Sequence, residues 1–78
     1  MHLHLAYRII GQAEEHPGVL TVHGREAAHE VHLMAEAGLI RAAQPADAEP
    51  TEAVITRITH AGHQFYRALK NVRSFAAN

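Results

Sequence analysis

A chain of 78 residues makes one small domain, which buries roughly 60% of the surface its unfolded form exposes and has little margin of stability. It has no cysteine, which excludes a disulfide framework, a thiolate metal site and a cysteine nucleophile and fits a reducing cytoplasm. The formal charge of −1 is divided along the chain: all eight acidic residues lie before Arg57 with Arg8, Arg25 and Arg41, whereas Arg57, Arg67, Lys70 and Arg73 are followed by no acid, so the C-terminal segment is basic and the rest acidic.

From Leu3 to Glu14, the apolar residues Leu3, Ala6, Tyr7, Ile10 and Ala13 recur at spacings of three and four, flanked by Leu5 and Ile9. This periodicity predicts an amphipathic helix. Pro17 disfavours helical geometry at His16, and Gly18 supplies a turn. Val19 to Val22 is short and β-branched, which predicts a brief strand. The segment REAAHEVHLMAEA consists almost wholly of helix formers and is followed by Gly38 in the position of a C-terminal cap. Leu39 to Gln44 then reads as a strand, PADAEP as a turn-rich tip, and EAVITRIT as a second strand in which Ala53, Ile55 and Arg57 alternate with Val54, Thr56 and Ile58. Thr59 can cap a last helix, His60 to Ala77, with Phe65, Leu69, Val72 and Ala76 as its stripe and Tyr66 and Phe75 at the edges. The N-terminus has no basic region followed by a long apolar stretch, and no segment approaches the run of about 18 apolar residues that a membrane span needs. A soluble cytoplasmic protein is the expectation, with residues 1–78 as one compact α+β domain of order α-β-α-β-β-α.

A helix that runs through EAGLI into a hairpin is the layout of a winged-helix domain, the hairpin being the wing. VHLMAEAGLI followed by ITRITHAGHQF resembles the small winged-helix proteins of phages and prophages, whose pattern runs from E-A-G-L-I to L-T-x-x-G-H-x-F. Glu36, Ala37, Gly38, Leu39 and Ile40, then Thr59, Gly62, His63 and Phe65, are the matching residues, and Ile58 stands where that pattern has leucine. The resemblance covers about two thirds of the chain. It implies a winged-helix fold, a phage context and structural roles for Gly38, Leu39, Ile40, Thr59, Gly62, His63 and Phe65, and it brings no established activity. Between His16 and Gly24 there is room only for a strand and a turn, so the helix-turn-helix is abbreviated. The helix in the DNA-reading position carries Glu26, Glu30 and Glu36 against Arg25, which opposes the phosphate neutralisation that drives DNA affinity.

The stretch AHEVHLMAEAGLI also borders on the zinc-protease motif H-E-x-x-H. That motif needs histidines four apart, whereas His29 and His32 are three apart and Leu33 holds the second ligand position, which excludes the protease. Spacing of three still puts two imidazoles on one helix face. His60 and His63 repeat it, so the two pairs together are the candidate metal ligands. Eight histidines in so short a chain make such spacings expected by chance, and the reading adopted is structural or exposed histidines with no metal or cofactor. For His63, the simplest role is a hydrogen bond to backbone at the wing junction. Ser74 has no acid near it in sequence, phosphate-binding glycine loops are absent, and Glu14 and Glu15 follow a helix end where they face solvent; neither an enzyme nor a small-molecule substrate is implied.

Two functions fit. One is a regulator-like winged helix that contacts nucleic-acid backbone through Arg41, Arg57, Arg67, Lys70 and Arg73. The other is a protein-interaction module, such as a phage inhibitor of a host protein, acting through Glu26, Glu30 and Glu36. A homodimer is expected on either reading, because Leu3, Val72 and Phe75 lack an obvious cover within one chain.

Overall fold

Helix α1, Leu3–Glu15, begins where the His2 ring caps it, Nδ1 accepting from the Leu5 backbone N–H at 3.2 Å. It ends at His16, whose backbone turns extended, as the proline after it requires. The computed structural model describes residues 1–16, 18–43 and 51–72. After α1 come strand β1, Leu20–His23, helix α2, Arg25–Glu36, strands β2, Ile40–Ala43, and β3, Glu52–Ile58, and helix α3, His60–Lys70. The α-β-α-β-β-α order expected from periodicity is the observed one. Three helices and one three-stranded antiparallel sheet of order β1-β3-β2 make a compact α+β domain.

The core is one cluster formed by Ala6, Ile9 and Ile10 of α1, Ala28, Val31 and Met34 of α2, Leu39, and the inward sheet residues Val22, Ile40, Ala53 and Ile55. Leu3, expected to lack a cover within one chain, is 46% exposed, and the stripe of α1 that is buried runs through Ala6, Ile9 and Ile10. The last helix stops at Lys70, with Asn71 as its C-cap, rather than continuing as the sequence periodicity suggested. Asparagine competes for backbone hydrogen bonds and favours such ends. Gln44, expected to end the first strand of the hairpin, the expected tip 45–50, and Arg73, Phe75 and Ala76 lie outside the described residues.

The central strand corrects the expected alternation. Ile40 pairs with Ile58 and Arg41 with Arg57, but Ala42 pairs with Ile55, so Thr56 is the extra residue of a bulge. A bulge inserts one residue and resets which face the following side chains take. Strict alternation would put Arg57 on the inward face with Ile55. The bulge instead leaves Arg57 exposed and turns Ile58 toward the core. The Thr56 hydroxyl donates to the Arg41 carbonyl at 3.1 Å, tying the irregularity to β2.

Where α2 ends, Leu39 N–H donates to Met34 O and Gly38 N–H to Ala35 O, both at 3.0 Å. This is the Schellman arrangement, with Gly38 at φ +80° in the left-handed region that favours glycine. Its usual apolar contact is supplied by Leu39 and Met34, both in the core. The same turn holds the start of α3. Thr59 donates its N–H to Leu39 O at 3.1 Å and its hydroxyl to Gly38 O at 2.6 Å, and its Oγ1 accepts from Gly62 N–H at 3.1 Å. Gly62 is buried so closely against this turn that a Cβ there would lie 1.9 Å from Leu39 O.

Candidate functional site

On the outward face of the sheet, Arg41 and Arg57 stand directly opposite each other in the ladder, and both are exposed. Like charges directly opposed on antiparallel strands cost about 0.2–1 kcal/mol. Among the described residues neither guanidinium has an ion-pair partner. The bulge at Thr56 creates this pair, since without it Arg57 would turn to the other face. Arg67 and Lys70 are exposed in the last turn of α3, where the helix dipole favours cations. Lys70 Nζ sits 5.9 Å from the centroid of the Tyr66 ring.

The acidic set proposed from sequence separates. Glu26 and Glu36 are exposed at opposite ends of α2, about 15 Å apart along its axis. Glu36 accepts from His32 Nε2 at 2.7 Å. Glu30, expected on the exposed acidic face, is only 4% accessible. It lies on the stripe that carries Ala27, Val31 and Met34 toward the core, and both its carboxylate oxygens accept from the His2 backbone N–H, at 3.1 and 3.2 Å. Glu30 therefore joins α2 to the start of α1. A glutamate in a helix reads as solvent-facing from type alone, and only its one-turn spacing from Ala27 and Met34 signalled otherwise.

The histidine pairs do not converge. His29 and His32 stack on α2 with ring centroids 6.5 Å apart, and among the described residues no group of three or more histidine or acidic side chains is arranged to hold a metal ion. His60 is exposed at the first turn of α3. His63 bonds a side chain on another helix rather than backbone: its Nδ1 lies 2.5 Å from Glu14 Oε1. Since a carboxylate only accepts, Nδ1 carries the proton. Glu14, expected to face solvent freely, is thus a link between α1 and α3. Nearby, Tyr7 and Tyr66 stack with centroids 5.0 Å apart. Burial, then the Tyr7 phenol, with smaller contributions from Glu15 and Glu14, raise the Tyr66 phenol above its ordinary value.

No helix among the described residues is long and apolar enough to cross a membrane. No protein-family model matches the chain, and no curated protein or solved structure matches it either.

Proposed function

We propose that the domain is winged-helix-like, with the β2–β3 hairpin as its wing and an abbreviated helix-turn-helix, and that it associates with nucleic-acid backbone in a regulator-like role. The reading rests on one observation, Arg41 and Arg57 opposed on the outward face of the sheet and without an ion-pair partner among the described residues. Two guanidiniums held side by side by a bulge repel each other until an anion lies between or along them, and the arginine fork suits phosphate oxygens. Arg67 and Lys70 extend the cationic surface on α3. The element order and the strand order β1-β3-β2 support the winged-helix comparison, with a single helix between β1 and β2. The alternative, a protein partner bound by Glu26, Glu30 and Glu36, is weaker because Glu30 is buried and Glu36 is engaged by His32.

Titration of the labelled protein with a mixed-sequence duplex, followed by backbone amide shifts, is expected to perturb Arg41, Arg57, Arg67 and Lys70 and to spare Glu26 to Glu36. Perturbations confined to α2 would contradict the proposal. The proposal includes a homodimer, since Leu3 and Val72 are 46% and 42% exposed and apolar surface of this kind is commonly covered by a second copy. Light scattering at micromolar concentration should report twice 8.6 kDa; a single 8.6 kDa species contradicts the dimer.

A further inference from the structure

β1 is shorter than β3. It covers β3 from Glu52 to Ile55 only, so the edge of β3 at Thr56, Arg57 and Ile58 lies open on that side. There the end of α1, the edge of β3 and the first turns of α3 enclose an open groove of about 320 Å³. Its charged and titratable wall consists of Glu14 from α1, His16 just after that helix, Arg57 from β3 and His63 from α3. The wall is firmly held: the Thr59 and Gly62 contacts fix the start of α3 against the turn after α2, and the Glu14 contact fixes His63 against α1. We infer that this groove is a phosphate-binding subsite, with Arg57, His16 and His63 as its donors, whose affinity rises as the histidines take up protons.

The dependence on protons follows from the geometry. In neutral His63 the single N–H is committed to Glu14 at Nδ1, which leaves Nε2 as an acceptor that repels a phosphate oxygen. Protonation makes Nε2 a second donor. His16 has no hydrogen-bonded partner for its ring among the described residues and gains a charge and a donor in the same way. With both rings neutral, Arg57 stands alone against Glu14 and the negative end of the α1 dipole, worth about half a charge, and the groove is close to neutral. With both rings charged, three cations face that same negative charge, and a phosphate is attracted. Histidine is the side chain whose ordinary charge change falls between about pH 5 and 8. The inference rests on the nucleic-acid reading only through Arg57, which the groove and the sheet face share; Arg41 belongs to the sheet face alone.

The test is calorimetric titration with two probes, inorganic phosphate and a dinucleoside monophosphate, whose single phosphodiester keeps one charge across the range. Each is titrated at about pH 5.5 and about pH 8. The dinucleotide is expected to bind at least about tenfold more tightly at the lower pH. Binding is lost in Arg57→Gln, is weakened in His16→Asn and loses its pH dependence in the double variant His16→Asn, His63→Asn. Binding of both probes identifies a backbone phosphate as the natural ligand; binding of inorganic phosphate alone identifies a free or terminal phosphate. Absence of binding for both probes at the lower pH, equal affinity of the dinucleotide at both pH values, or full binding by folded Arg57→Gln and His16→Asn overturns the inference. Duplex association that persists without phosphate binding refutes the groove and leaves the sheet face standing. Phosphate binding without duplex association does the reverse.

Discussion

Gly62 and Gly38 are both glycines of necessity, for different physical reasons. At Gly38 there is open space for a side chain, but the backbone sits at φ +80°, which costs a branched residue about 1–2 kcal/mol. At Gly62 the backbone is helical, yet a Cβ would meet the Leu39 carbonyl oxygen at 1.9 Å and Ile58 Cγ2 at 2.8 Å. The first obstacle is backbone and cannot rotate away. Gly62→Ala should therefore cost at least the upper part of the about 1–3 kcal/mol typical of overpacked sites, more than Gly38→Val. Thr59→Val, which removes a cap and the bond to Gly38 O, should cost about 0.5–2 kcal/mol. Urea unfolding of the three variants gives this order, and Gly62→Ala as stable as the parent would contradict the packing described. The letters of this junction were legible in the sequence as EAGLI and T-x-x-G-H. Their reason was not, because it lies in contact between two turns separated by a hairpin.

Among the elements, α1, α2 and the positions of all three strands follow from periodicity and from Pro17 and Gly38, whose effects are local. The phase of β3 was misread because a bulge leaves no mark in a pattern of apolar and polar letters. Ala53, Ile55 and Arg57 alternate as well as Ala53, Ile55 and Ile58 would with one residue inserted, and only the pairing with β2 decides between them. Helix α3 has Gly62 as its one buried residue among those described and rests on the body through half-buried Phe65 and Tyr66. Gly11 makes room for it, since a Cβ there would lie 3.2 Å from the Tyr66 ring. This packing has a pH signature. The Tyr66 phenol is raised by burial first and by Tyr7 second, so the folded state holds that proton more tightly than the unfolded chain. The associated stability is full below the ordinary phenol value of about 10 and is lost as pH rises through the raised one. Ultraviolet titration of the folded protein should show one tyrosine ionising late, and Tyr66→Phe should remove the late step and flatten the alkaline loss of stability. Two tyrosines titrating together at the ordinary value would contradict this account of the α1–α3 contact.

At the scale of the whole molecule, the charge division seen along the chain becomes a division between surfaces only in part. The cations at Arg41 and Arg57 come together on one sheet face, although they lie on different strands and on either side of the hairpin. The acids do not: Glu30 enters the packing, Glu14 binds His63, and Glu26 and Glu36 remain far apart. Residue type and position along the chain made the basic C-terminal segment visible. They did not reveal which charges share a face, since pairing register and helix rotation decide that. The central claim, that the outward sheet face contacts nucleic-acid backbone through Arg41 and Arg57, is tested most directly by the salt dependence of duplex binding. Each phosphate contact contributes about one unit to the slope of log affinity against log salt concentration. The double variant Arg41→Gln, Arg57→Gln is expected to bind a mixed-sequence duplex more weakly, with a slope shallower by about two units. A variant that remains folded and binds with the affinity and slope of the parent would contradict the claim.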